Sequence, residues 1–209
     1  MIYGNQDPKE IDVFSNPITE TMFYRYLLAL HWCRDKDVLD AACGCGFGSH
    51  ILKTFAKTVT GMDIDGAALE SADKQYPHIK FLWHDIRIEK DIGKFDVVVS
   101  IETFEHIPRH EIINYLNNLK SWCKEGGTIF ITTPQRQNAF WEYNKNESHL
   151  YEYSAEEFVD IIMRNIKGDF AFIGLQEIKM GQAGQLISVL TPLIKEGHIM
   201  VAVIENVRH

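Results

Sequence analysis

The chain has 209 residues, 45% of them hydrophobic and 24% charged, with a formal net charge of −8. That length suits one domain with a sizeable core. The acidic balance without a basic stripe counts against a nucleic-acid partner, and no uninterrupted apolar window of about 18 residues suggests a membrane span.

Residues 1–14 lack the basic start and apolar run of a secretory leader. Four cysteines, at positions 33, 43, 45 and 123, do not form a disulfide framework in a chain this long. A reduced, cytoplasmic setting is therefore expected. Cys43-x-Cys45 lacks the second ligand pair of a zinc motif. No set of oxygen ligands for magnesium stands out either, so no metal is expected.

Residues 1–16 are polar and turn-rich and predict a loose arm. From Ile18 to Trp32, Met22, Phe23, Tyr26, Leu27 and Leu30 recur at helical spacing, with Thr19 or Asn16 as the cap. Val38 and Leu39 then lead into Asp40, two alanines, and Gly44, Gly46 and Gly48 alternating with Cys45 and Phe47. This predicts a buried strand over 37–40, a tight glycine turn and a helix from about 48 to 56. The free N–H groups at that helix start favour a polar or anionic ligand. The spacing is G-x-G-x-G, not G-x-G-x-x-G, and no Gly-Lys-Ser/Thr follows, which excludes a P-loop.

The stretch VLDAACGCG resembles the first motif of the class I S-adenosylmethionine-dependent methyltransferases, which looks like (V/L)LDxxCGxG. The resemblance implies an α/β, Rossmann-like fold. Its sheet is seven-stranded and mostly parallel, with helices on both faces and a C-terminal antiparallel hairpin. It implies S-adenosyl-L-methionine as cofactor, cradled around Asp40, Ala42, Gly44 and Gly46. The aromatic-Arg-Tyr cluster at 24–26 is similar to a segment of bacterial sugar and small-molecule methyltransferases. There Arg25 would meet the methionine carboxylate; a solvated surface arginine is the alternative.

Thr58 to Ile64 reads as the second strand, ending on Asp63. A carboxylate there can accept both ribose hydroxyls, and Asp63 lies 17 positions beyond Gly46. Asp65 caps the next helix, 66–75. By resemblance Ile64 packs on the adenine face. After a third strand over 79–83, Asp85, beside Ile86, accepts from the adenine amino group; a turn carboxylate is the alternative.

Residues 95–101, FDVVVSI, read as a central strand buried on both faces. The loop that follows, Glu102-Thr-Phe-Glu-His106-Ile, resembles the family's fourth motif. Ligands of open α/β sheets sit beyond the carboxyl ends of the strands. Glu102 and Ser100 or Ile101 would thus line the methionine end, and His106 is a candidate base or a loop-fixing residue.

Residues 109–123 predict a helix ended by Gly126-Gly127, and 127–133 a fifth strand. The aromatic-rich stretch 135–153 has poor periodicity and predicts a long loop, taken as a lid over the acceptor. Within it, Asn146, His149, Glu152, Tyr153 and Ser154 resemble a segment of methyltransferases of glycan and lipid-linked sugar synthesis. His149 becomes the leading candidate for base or acceptor contact. Ser154 and Glu157 read as a capping box for a helix over 155–167. Two last strands are expected over 170–178 and 198–207, with a loop between them.

The whole chain is expected to form a single domain, with residues 1–34 as arm and first helix. Its expected activity is methyl transfer to a small-molecule acceptor, a hydroxyl of a sugar or glycan precursor. Alternatives are a protein or RNA acceptor, or a non-catalytic binding module. The sequence does not set the oligomeric state.

Overall fold

The structure, a computed structural model, describes residues 17–136, 149–180, 186–192 and 199–209, with side chains at 22–136, 149–170 and 199–209. The expected arm over 1–16 and most of the expected lid, 137–148, lie outside the described residues.

Helix α1 (Pro17–Cys33) opens on a proline, whose missing N–H costs nothing at a first helical position. Tyr26, Ala29 and Cys33 lie on its buried face. The chain turns through a left-handed Asp35 into β1 (Asp37–Ala41). Two βα steps and a third strand follow: α2 (Phe47–Lys53), β2 (Thr58–Asp63), α3 (Gly66–Gln75) and β3 (Lys80–Trp83). Asp65 caps α3 as expected, accepting from Ala67 N at 3.0 Å and Ala68 N at 3.2 Å.

β4 (Phe95–Ile101) is the central strand. Val97, Val99 and Ile101 pack toward α1 and α2, whereas Val98 packs on the opposite face. Burial on both faces accounts for its unbroken apolar run. The expected helix over 109–123 is shorter: α4 spans Ile112–Trp122 after a 3-10 turn at Arg109–Glu111. Nor is it ended by the glycine pair. The chain passes straight into β5 (Cys123–Pro134), which contains Gly126 and Gly127, because Cys123 is already extended (φ −79°, ψ 138°).

α5 (Ala155–Asn165) has the expected capping box: Ser154 Oγ accepts from Glu157 N at 3.2 Å, and Glu157 Oε2 accepts from Ser154 N at 2.9 Å. β6 (Lys167–Met180), β7 (Leu186–Pro192) and β8 (Ile199–Arg208) complete the sheet.

The strand order is β3-β2-β1-β4-β5-β8-β6-β7. β1 to β5 pair in parallel, and β8 returns antiparallel between β5 and β6. This is the expected Rossmann-like sheet, with one addition. The expected loop between the last two strands contains β7, which pairs antiparallel with β6 and makes an eighth strand. Two apolar layers cover the sheet. One joins it to α4 and α5 through Leu116, Trp122 and Phe158; the other joins it to α1 and α2 through Tyr26 and Leu52.

Ala42 (φ 69°), Gly44 (φ 55°) and Gly46 (φ 79°) give the β1–α2 turn its alternating left-handed backbone. Gly48 serves a different need. A Cβ there would lie 1.8 Å from Cζ of Tyr26, so glycine is what lets α1 lie against the start of α2. Gly48→Ala should therefore destabilise the fold by about 1–3 kcal/mol, read as a lower urea midpoint. An unchanged midpoint would mean that Tyr26 does not seat against α2.

Candidate functional site

The glycine turn is anchored from two sides. Ala42 N and Cys43 N donate to the carbonyl of Met62 in β2, at 2.7 and 2.9 Å. Asp63, at the carboxyl end of β2, accepts from Gly44 N at 2.7 Å and Asp65 N at 2.9 Å, one on each oxygen. An ionised carboxylate has about four acceptor positions, so each oxygen keeps capacity for a ligand hydroxyl. Beneath the turn, Asp40 is fully buried; it accepts from Ser49 Oγ at 2.6 Å and the Tyr26 hydroxyl at 3.3 Å.

Burial pushes the Asp40 carboxyl up to about 7, with a further push from the Asp63 charge; the hydrogen bonds from Ser49 and Tyr26 oppose both. Asp40 was expected among the cofactor contacts. Its enclosure makes it the inner brace of the turn, because this position of β1 faces the α1–α2 layer.

Glu102, the residue after β4, is in a left-handed conformation (φ 50°), unusual for a residue with a Cβ. Its N–H donates to the Thr132 carbonyl at 3.1 Å, and its Oε1 accepts from Thr132 Oγ1 at 3.0 Å. The same Oε1 lies 3.4 Å from Arg25 Nε. Arg25 is thus the buried partner of Glu102 and not a solvated surface residue, and its Nε makes no hydrogen bond among the described residues. A buried N–H donor therefore sits beside the Glu102 carboxylate.

The adenine-side residues fare unevenly. Ile64 is 52% exposed and so available to cover a ring. Both oxygens of Asp85 are engaged by Arg87, whose Nη2 lies 2.6 Å from Oδ2. That contact holds the Asp85 carboxyl below its usual range. Ile86 and Ile101, expected to line the cofactor, have their side chains in the two apolar layers.

Past Glu102 the chain makes a 3-10 turn, Phe104–His106. Glu105 from this turn is fully buried, and its Oε2 accepts from Thr133 Oγ1 at 2.9 Å. Its carbonyl accepts from Leu150 N and Tyr151 N, which brings His149 alongside. Glu105 Oε1 lies 3.7 Å from His106 Nε2 and 3.9 Å from His149 Nε2. Burial, and next the charge of Glu102, raise the Glu105 carboxyl well above its usual range. His149 Nδ1 is 2.7 Å from Glu152 Oε1.

The two candidate histidines thus belong to one cluster at the carboxyl ends of β4 and β5. In the sequence the two histidines stand far apart and nothing singles out Glu105, although Glu102, Glu105 and His106 are close neighbours there. Tyr153, expected in the lid, is buried against Phe104 with ring centroids 4.8 Å apart.

The methyltransferase-domain family matches residues 38–127, from the first strand through the glycine turn to the start of the fifth. Residues 38–127 thus carry a methyltransferase domain, and the fold and cofactor of this chain are those of S-adenosylmethionine-dependent methyltransferases. It is 25% identical, over 78% of its own length and 66% of the relative's, to a probable S-adenosylmethionine-dependent methyltransferase of Mycolicibacterium smegmatis. It is 28% identical to a ubiquinone biosynthesis O-methyltransferase of Coxiella burnetii, over 66% of this chain and 57% of that one. It therefore spans roughly three fifths of the length of these relatives.

Among solved structures, the N-methyltransferase NodS of Bradyrhizobium japonicum, in complex with S-adenosyl-L-homocysteine, superposes with a TM-score of 0.67 at 16% identity. That match covers 96% of this chain and 93% of NodS. The PH0226 protein of Pyrococcus horikoshii gives 0.68 at 16% identity, over 95% of each chain. These likenesses show the fold.

Within this methyltransferase domain, the Asp40 brace has a pH signature. A carboxyl at about 7 when folded and about 4 when unfolded binds more protons in the folded chain between those limits. Its contribution to stability is present near pH 4 and lost as the pH rises through 7. Wild type should gain stability relative to Asp40→Asn as the pH falls from about 8 to about 5, in paired urea titrations. Parallel curves would show that Asp40 does not hold its proton in the fold.

Proposed function

We propose that this chain transfers the methyl group of S-adenosylmethionine to a hydroxyl oxygen of a small molecule, a sugar or glycan precursor. The observation that carries this reading is a convergence at one end of the sheet. The left-handed turn with Asp63, the Arg25–Glu102 pair and the Glu105–His106–His149 cluster all lie at or beyond the carboxyl ends of β1, β2, β4 and β5. That is where ligands of open α/β sheets bind.

The residues present fit an adenosyl sulfonium. Asp63 has acceptor capacity for two ribose hydroxyls, Ile64 offers an exposed apolar face, and Arg25 keeps a buried N–H for a carboxylate. Gly44 and Gly46 bring backbone, not side chain, to the ligand. Asp85 would serve adenine only through whatever acceptor capacity Arg87 leaves it, so we give it the smaller share.

The bound sulfonium supplies an electrophilic methyl carbon with a good leaving group. What remains for the protein is alignment and proton removal. The acceptor oxygen forms the new O–C bond as the C–S bond breaks and its electron pair stays on sulfur. The hydroxyl proton leaves toward His149 or His106, the basic groups of the site. The expected hydroxyl acceptor is supported by this cluster, which an already deprotonated amine would not require. The ubiquinone biosynthesis O-methyltransferases among the relatives have an oxygen acceptor by name. The acidic net charge favours a small molecule over nucleic acid.

Calorimetric titration with S-adenosylhomocysteine should show binding, and Asp63→Ala should weaken it by about 1.5–3 kcal/mol with the melting temperature recorded in parallel. Unchanged affinity in a folded variant would remove Asp63 from the site. Methyl-labelled cofactor should label hydroxylated small molecules. Label appearing only in protein or RNA would overturn the proposed acceptor, and no cofactor binding would leave a non-catalytic module.

A further inference from the structure

We propose that Glu105, His106 and His149 form a binding site for one divalent transition-metal ion, with Glu152 as the positioning residue behind His149. The three candidate donor atoms, a carboxylate oxygen and two imidazole nitrogens, lie within 4.8 Å of one another. Donors sharing an ion at about 2.1 Å sit roughly 3–3.5 Å apart. The contacts of 3.7 and 3.9 Å from Glu105 Oε1 to the two imidazoles therefore need only small side-chain rotations.

Three observations point to an ion and not merely to a polar cluster. The first is Glu105 Oε1, which is fully buried and accepts no hydrogen bond among the described residues. A buried acceptor left unsatisfied costs about 1–3 kcal/mol, and more if charged, so a cation is the partner that this oxygen lacks. The second is Glu152. Its contact at 2.7 Å with His149 Nδ1 is the carboxylate–histidine arrangement that fixes a ring and turns the other nitrogen toward a metal. The third is charge. Glu102, Glu105 and Glu152 face the cluster region with Arg25 as the cation paired among them, by its contact with Glu102. Glu105 is fully buried and the other two are largely so, and a divalent ion would compensate them.

Two imidazoles with one carboxylate suit zinc, cobalt, iron or manganese better than magnesium, which prefers oxygen ligands alone. With three protein ligands the ion keeps open positions, and these would take a hydroxyl oxygen of the acceptor. That last part rests on the methyl-transfer reading above and refines it. The imidazoles are then ligands, and loss of the hydroxyl proton is eased because coordination to a cation lowers an oxygen's pKa.

The test uses the full chain without a polyhistidine tag, stripped by a chelator and titrated with Co²⁺ under a visible-absorption readout. One Co²⁺ per chain with d–d bands, displaced by Zn²⁺, is expected. His149→Ala and Glu105→Gln should each abolish saturation at ligand levels that fill the wild type. Glu152→Gln should weaken binding about 10–100-fold while keeping the ligand set. If the buried Glu105→Gln fails to fold, the part-exposed His106→Ala carries the same expectation. No Co²⁺ uptake by folded wild type at about 1 mM, weaker than the usual range for a specific site, would overturn the site. So would binding that survives both His106→Ala and His149→Ala at unchanged affinity. S-adenosylhomocysteine calorimetry on the same samples separates the two proposals: cofactor binding without Co²⁺ uptake overturns the ion alone, and Co²⁺ uptake without cofactor binding overturns the methyl-transfer reading alone.

Discussion

The left-handed turn between β1 and α2 is the constraint on which the rest of the site depends. Three residues of that turn take positive φ, which costs stability wherever a Cβ is present, as at Ala42. The turn persists because it is tied on both sides. Met62 and Asp63 hold its N–H groups from β2, and Asp40 holds α2 from below through Ser49. Tyr26 then links the same carboxylate to α1. One buried acid thus joins α1, β1 and α2 behind the place where a ligand would lie.

A second constraint lies at the end of β4. Glu102 is held left-handed by Thr132 of the neighbouring strand, and this turns the chain sharply into the 3-10 segment. Glu105 is driven into the interior as a result, where Thr133 satisfies one of its oxygens and the two histidines approach the other. Backbone strain next to a buried, half-satisfied carboxylate is costly structure. Such cost concentrates at functional sites, where surrounding contacts over-determine it. The position of Arg25 follows the same logic: α1 lies against the turn because Gly48 has no Cβ, and that brings the guanidinium to Glu102.

Much of the site was legible where the chemistry is local. Asp65 caps α3, and Ser154 with Glu157 caps α5, because capping needs only residues two or three positions apart. The helix end at 122 was misplaced for the opposite reason. Gly126 and Gly127 look like a helix stop, but pairing with β4 pulls Cys123 into the sheet before the helix can reach them. Arg87 is two residues from Asp85, yet its claim on that carboxylate depends on the turn bringing both back together.

By itself the sequence determined the alternation of strand and helix, the glycine turn with its acid one strand away, and the resemblance to methyltransferases that these carry. These are patterns of period and spacing, and periodicity records which face of an element is apolar. Only the tertiary structure decided that Asp40 is enclosed, that Arg25 pairs with Glu102, that β7 extends the sheet, and that Glu105, His106 and His149 share one corner. His149 is more than forty residues from Glu105 along the chain. Whether two such groups meet depends on which strands neighbour each other and how the loop is seated, and neither is written in the spacing of side chains.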